Sequence, residues 1–152
     1  MLSSRAKYAT RALLDLTFRF DGAPVHLHDI AERQNIPQKF LEQILLSLKR
    51  GGFVQSRKGP GGGYTLAKSP SEITLGAVVR AVDGPLAPIS CVSKTGYMEC
   101  GCPEPETCGL RQAWQQARDA LAAVLDNTTF ADLRDRQENL KVVHSQVLDY
   151  II

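Results

Sequence analysis

The side chains best suited to chemistry in this chain are thiols, and all four fall in one stretch. "CVSKTGYMECGCPEPETC" runs from Cys91 to Cys108, with steps of nine, two and six residues between successive cysteines. Thiolates are soft ligands that select zinc, copper(I) or iron–sulfur clusters. Structural zinc sites usually gather cysteines as short clips with two to four residues between partners. Here one, five and eight residues separate neighbours, and no Cys-x-x-Cys clip exists. A cluster is larger than one ion, so its ligands tolerate wider spacing. "GCPEPETCG" supplies the prolines and glycines such a loop would use. Cys91, Cys100, Cys102 and Cys108 are therefore candidate metal ligands, with an iron–sulfur cluster as the expected cofactor. Two other readings stay open: four thiols around one zinc ion, and free cysteines with a reversible disulfide. Cys100 and Cys102 are too close in sequence to make a comfortable pair with each other. His26, His28 and His144 read as ordinary surface or helix residues, and no Ser/His/Asp or paired-carboxylate constellation points to an enzyme.

The compartment matters to that chemistry. No apolar run approaches the roughly 20 residues of a membrane span. The first residues, "MLSSRAKYATRALLDL", carry charges through their apolar positions and make a poor signal peptide. A cytoplasmic protein with no membrane partner is expected, where clustered thiols more often bind metal or react than form lasting disulfides. The 152 residues suffice for one domain or one domain with an extension. Charge is uneven: residues 1–70 hold 11 Lys and Arg against 5 Asp and Glu, whereas residues 71–152 hold 7 against 11. A basic half joined to an acidic half points to a polyanion partner for the first half, although scattered solvated charge would look the same.

The elements that must position these groups are mostly helical. "SSRAKYATRALLDLTFRF" has helical spacing at Ala9, Ala12, Leu13, Leu16 and Phe20, with Ser3 or Ser4 as cap. "DGAP" ends it, and "VHL" reads as a short strand. "HDIAERQNI" reads as a short helix, followed by Asn35 for a left-handed turn and Pro37 in the first turn of the next helix. In that helix Phe40, Leu41, Ile44, Leu45 and Leu48 form an apolar stripe, and Gly51-Gly52 stop it. "FVQSRKGPGGGYTLA" alternates around a Pro/Gly-rich tip and reads as a β-hairpin. A helix-turn-helix followed by a basic hairpin is a winged helix. A helix from Thr74 closes at Gly84-Pro85. After the cysteine loop, Leu110, Trp114, Ala117, Leu121 and Val124 alternate by four and three, the spacing of a coiled-coil seam. A final helix carries Leu133, Leu140, Val143 and Val147. The expected fold is mostly α: a winged helix-turn-helix DNA-binding domain over 1–84, a cysteine loop over 85–109, and a long dimerisation helix with a helical extension over 110–152. The bare Leu/Trp seam favours a homodimer, whose two-fold symmetry suits a two-fold DNA site.

Double-stranded promoter DNA is the expected partner. The second helix of the motif offers Gln38, Lys39, Glu42 and Gln43 outward. Gln can bond adenine at two points, Glu can accept from the cytosine amino group, and Lys suits guanine or phosphate. Arg57 and Lys58 flank the hairpin tip, and Gly61 and Gly62 let backbone approach closely. The same face also suits an ordinary solvated surface. "GPGGG" lacks the Gly-Lys-Ser/Thr ending and the following helix of a phosphate-binding loop, so a nucleotide site is not expected.

The stretches "KYATRALLDL", "DIAERQNIPQKFLEQILLSLKRGGFVQSRKGPGGGYTLAKSPSEITLGAVVRAVDG" and the cysteine loop leading into "LRQAW" resemble the bacterial winged-helix regulators of the IscR and NsrR type, the Rrf-two family. The resemblance covers nearly the whole chain. It implies a homodimer with crossing long helices, a repressor's role at promoters, and a cluster, 2Fe–2S favoured over 4Fe–4S, on a three-cysteine loop that senses iron–sulfur, redox or nitric-oxide status. The loop cysteines match best as Cys91, Cys102 and Cys108, and the base-reading positions fall on Lys39, Glu42 and Gln43, with Lys58 in the wing. Position 39 usually holds a small polar residue in one branch of the family. The fourth ligand departs from the pattern. One branch has a histidine three residues after the last cysteine, where this chain has Arg111. Another uses an acidic residue of the first helix, where this chain has Lys7 beside Tyr8. Cys100 is the candidate for that role, and Gly101 would permit the backbone turn between Cys100 and Cys102. A cluster-free regulator answering thiol oxidation or a metabolite, and a zinc-binding structural variant, remain as alternatives.

Overall fold

The computed structural model describes residues 2–149, the side chains of Val147, Leu148 and Asp149 excepted. The expected apolar role of Val147 and the end of the last helix beyond 149 lie outside the described residues. α1 spans Ser4–Thr17, and Ser3 caps it by accepting from the Ala6 amide at 3.1 Å. Ala6, Ala9, Ala12, Leu13 and Leu16 are buried along one face. Three alanines on that face let neighbouring helices approach closely. The helix stops at Thr17, not at Phe20 as the spacing predicted, because the chain turns from Phe18 to Gly22 through short-range bonds such as Arg19 N–H to Leu16 O.

α2, Leu27–Gln34, and α3, Gln38–Arg50, form the helix-turn-helix. Asn35 takes the left-handed conformation (φ 48°), and Ile36 donates back to Ala31 O and buries its side chain. Pro37 sits at the cap, one place before the first turn assigned to it from sequence. Leu41, Ile44, Leu45 and Leu48 are fully buried, each burial worth about 1.5–3 kcal/mol. Phe40 lies at the margin of that stripe and is half-exposed, meeting Tyr8 edge-on at 5.7 Å.

The hairpin pairs β1, Val54–Arg57, with β2, Gly63–Leu66, in antiparallel register from Val54↔Leu66 to Arg57↔Gly63. The expected "VHL" strand is only a bridge: Val25 exchanges both backbone bonds with Tyr64 and the chain then enters α2. α4, Leu75–Asp83, is capped by Thr74 and ends at Gly84. The chain then leaves the core for the cysteine loop and α5, Gly109–Asp126, and returns at α6, Phe130–Asp149. The return is stitched in place. Leu75 donates to Thr128 O, Phe130 donates to Ile73 O, and Phe130 is fully buried in the same core as α1 and α3. Thr129 and Asp132 cap α6 reciprocally.

One buried ion group went unforeseen. Asp15 of α1, with a side chain only 3% exposed, accepts two bonds from Arg33 at 3.0 and 2.8 Å and one from Gln34 at 3.1 Å. Arg19 lies 3.3 Å away, and Arg11 donates to the Gln34 carbonyl. These bonds fasten α1 to the last turn of α2, just ahead of Asn35. Losing a buried partner costs up to about 5 kcal/mol, but Arg19 and Arg33 are each about a third exposed and can turn to water. Asp15→Asn should therefore lower stability by about 2 kcal/mol, read as a reduced urea midpoint at unchanged slope. An unmoved midpoint would show that the network adds nothing.

Candidate nucleic-acid interface and thiol loop

The outward face of α3 is where sequence placed it. Gln38, Lys39, Glu42 and Gln43 are all exposed, as are Arg57, Lys58 and Gly61 of the wing. Gly61 takes φ +71°, a region that favours glycine. Gly62 is buried, contrary to its expected place on the outer tip. A Cβ there would lie 2.3 Å from the Arg57 carbonyl, so Gly62 shapes the turn from beneath. α3 and the wing are tied together by Lys49 Nζ, which donates to Ser56 Oγ at 2.6 Å. Residues outside the motif extend the basic face. Arg5 of α1 donates to Ser47 Oγ at 2.5 Å, and Ser47 in turn donates to the Gln43 carbonyl. Arg11 lies over the Tyr8 ring at 5.7 Å. Sequence reasoning missed Arg5 and Lys49, although both belong to the basic half and the α1 period puts Arg5 beside the buried Ala6–Ala9 face.

The loop between α4 and α5 divides into a fixed arm and an open arm. In the fixed arm a 3-10 turn, Ser90–Val92, buries Cys91 and Val92. Arg118 of α5 donates to the Val92 carbonyl, and Lys94 meets Asp119 of α5 at 3.3 Å. In the open arm Cys100 and Cys102 are exposed on either side of Gly101, whose φ is +66°. Cys108 is partly exposed immediately before the first residue of α5. Interaction with Cys102 chiefly lowers the Cys100 pKa. Cys102 is pushed up to about 11, chiefly by Cys100, with desolvation and the charges of Cys100, Cys108 and Cys91 adding to the rise. Among the described residues no three His, Cys, Asp or Glu side chains converge on one ion-sized point. By chemistry alone, four soft donors in one loop suit a zinc ion or an iron–sulfur group. One further polar atom bears on the fit: Arg111 Nε is buried and, among the described residues, has no hydrogen-bond partner.

α5 carries this loop on one face and a bare apolar stripe on another. Leu110 is 72% exposed and Trp114 41% exposed, and Leu121 and Val124 are likewise exposed. At its far end Leu125 is buried against Val79 and Leu86, and Arg80 of α4 grips Asp126 with bonds of 2.5 and 2.9 Å. That pair raises the Arg80 pKa and lowers that of Asp126.

The family pattern described as an iron-dependent transcriptional regulator, Rrf2, matches residues 2–136. The chain belongs to the Rrf2 family. This Rrf2 chain is 38% identical over 145 residues to the HTH-type transcriptional regulator IscR of Serratia proteamaculans, covering 95% of this chain and 85% of that one. It is 37% identical to IscR of Yersinia enterocolitica over the same shares. Among solved structures it is similar to CymR, the global cysteine regulator of B. subtilis, at TM-score 0.74 and 31% identity, covering 90% of this chain and 97% of that one. It is also similar to T. potens IscR, at TM-score 0.73 and 28% identity, covering 92% and 90%. These relatives are transcription regulators, not enzymes, and the Rrf2 chain is a DNA-binding regulator of that type. No helix among the described residues is long and apolar enough to cross a membrane.

Thiolates, not thiols, are alkylated. In the reduced, metal-free Rrf2 chain iodoacetamide should therefore modify Cys100 first at neutral pH. Cys102 should follow only as the pH rises past the ordinary thiol range, and buried Cys91 should trail both. Peptide mass spectrometry over time reads the order, and early modification of Cys91 would contradict the placement of the two arms.

Proposed function

We propose that this chain is a homodimeric regulator that grips promoter DNA with α3 and the wing, and whose loop cysteines hold an iron–sulfur cluster that sets the grip. The single observation that carries this reading is the dual attachment of α5. Its inner face is bonded to the cysteine loop through Arg118 and to α4 through Arg80 and Asp126. Its outer apolar stripe is free to pair with a second copy. The cysteine loop, the pairing surface and the winged helix are thereby joined through one rigid rod.

On DNA, α3 enters the major groove with Gln38, Lys39, Glu42 and Gln43 toward base edges, while Arg57, Lys58 and the backbone at Gly61 meet phosphate or the minor groove. Cys91, Cys102 and Cys108 are the family-matched cluster ligands, and Cys100 is the fourth. When bound, the cluster would supply a redox-active centre whose state reports iron–sulfur, redox or nitric-oxide status, and four cysteine ligands would hold it more tightly than a set with histidine or aspartate. The fixed arm holds Cys91 against α5, and the open arm must fold onto it for Cys100 and Cys102 to ligate. A ligand shifts such an equilibrium only by binding one arrangement better than the other.

A second reading is favoured by the exposure of Cys100 and Cys102 on either side of Gly101 and by the likeness to CymR, of which an oxidised form from Staphylococcus aureus is also similar at TM-score 0.71 and 28% identity. In it the chain carries no cluster and the open-arm thiols answer oxidation directly. Absorption separates the two. Protein purified without oxygen should show broad bands beyond about 400 nm and contain iron. Colourless protein whose DNA binding changes on thiol oxidation would favour the second reading. The wing has its own test: Lys58→Ala should weaken binding alike for all duplex sequences and reduce the slope of log affinity against log salt by about one. An unchanged slope would remove Lys58 from the phosphate contacts.

A further inference from the structure

We propose that Arg111 is a hydrogen-bond donor to the iron–sulfur group, aimed at one of its sulfurs or at a ligating cysteine sulfur, and that it tunes the group's potential without ligating it. The proposal rests on the cluster reading above.

Arg111 lies in the first turn of α5, three residues after Cys108, the residue that caps the helix. Its face of the helix is the one turned toward the loop. Arg111, Gln115, Arg118 and Ala122 are each half-buried and Leu125 is buried, whereas the neighbouring stripe through Leu110 and Trp114 is exposed. Arg118, two turns further along the same face, already reaches the backbone of the loop at Val92, next to Cys91. Arg111 therefore stands on the loop side of α5, closer to its thiol-bearing end. Its Nε is the one buried side-chain nitrogen or oxygen among the described residues without a hydrogen-bond partner. A buried N–H left without an acceptor is costly, and more so when the group is charged. An acceptor of negative charge at this point removes that cost. Thiolates and cluster sulfides are such acceptors, and two nearby anions already have partners: Asp119 with Arg118 and Lys94, and Asp126 with Arg80. Guanidinium cannot lose its proton under ordinary conditions, which suits it to donate and not to ligate.

The consequence has a sign. Reduction adds one negative charge to the group, and a cation donating to its sulfur favours the reduced form. Removing Arg111 should therefore make reduction harder. The experiment uses the full chain reconstituted without oxygen from ferrous iron and sulfide, with wild type, Arg111→Leu and Arg111→Lys titrated reductively and followed by visible absorption. Arg111→Leu should keep the wild-type iron content per chain. Its reduced-to-oxidised ratio at a fixed potential should fall about tenfold, equivalent to about 59 mV for one electron. Arg111→Lys should recover part of the shift. Should Arg111→Leu fail to fold, Arg111→Gln is read in its place, with a shift expected in the same direction. An unmoved potential at full iron content overturns the role of Arg111 alone. Folded Arg111→Leu protein that holds no iron overturns it too, since that outcome makes the residue a ligand or its support. Wild-type protein that takes up no iron defeats the cluster reading itself, and this proposal with it.

Discussion

Everything distinctive about this chain depends on α5, which carries the cysteine loop on one face and a bare apolar stripe on another. A helix of 18 residues leaves the winged-helix core, and only its end is gripped by that core, at Leu125 and Asp126. One face takes the cysteine loop, through Arg118 and the half-buried residues in line with it. The other exposes Leu110, Trp114, Leu121 and Val124 in one apolar stripe. A second copy supplied to that stripe would fix α5, and with it the loop on the opposite side. Pairing through that stripe would therefore be coupled to the thiol loop through one helix.

The DNA-facing half solves a different problem, that of holding exposed charged side chains in a defined frame. Surface ion pairs contribute little, about 0–1 kcal/mol each, so the frame has to come from burial. It does. The alanine face of α1 brings α3 and α4 close, the Leu41–Leu48 stripe fills the gap, and Asp15 fastens the end of α2 from the side. Phe130 then plugs the same core from the far end of the α5 excursion. The returning chain is bonded to Ile73 and Leu75 beside α4, which ties the end of α5 to the base of the winged helix.

Local signals in the sequence were read well where a single residue decides the backbone. Ser3, Thr74, Asn35 and Gly84 each mark the boundary they were expected to mark, since capping and left-handed geometry are properties of one residue and its neighbours. The buried stripe of α3 and the hairpin were legible because their periods are unambiguous. What was missed depends on partners far apart in sequence. Val25 forms only a bridge because β2 stands opposite it, and nothing local to "VHL" reveals that. Phe40 falls outside the core because Tyr8 of α1 offers it an edge. Asp15 resembled any helix-surface acid until Arg33 and Gln34 arrived from 18 and 19 residues away. Gly62 was assigned to the outer tip, whereas the Arg57 carbonyl lies against it. The division of the thiol loop into fixed and open arms had no sequence signal either, because it follows from Arg118 lying 26 residues beyond Val92.

The proposed coupling between thiol loop and DNA grip is tested most directly by one comparison. Fluorescence anisotropy of a promoter duplex, selected in vitro with the iron-loaded protein, is measured against that protein and against the same protein stripped of iron by a chelator, at one salt concentration. A change in affinity of tenfold or more, about 1.4 kcal/mol, is expected, with the dimer retained in both forms. Equal affinities for loaded and stripped protein, at full iron occupancy in the loaded sample, would contradict the claim that the group held by the cysteines controls the two DNA-binding arms.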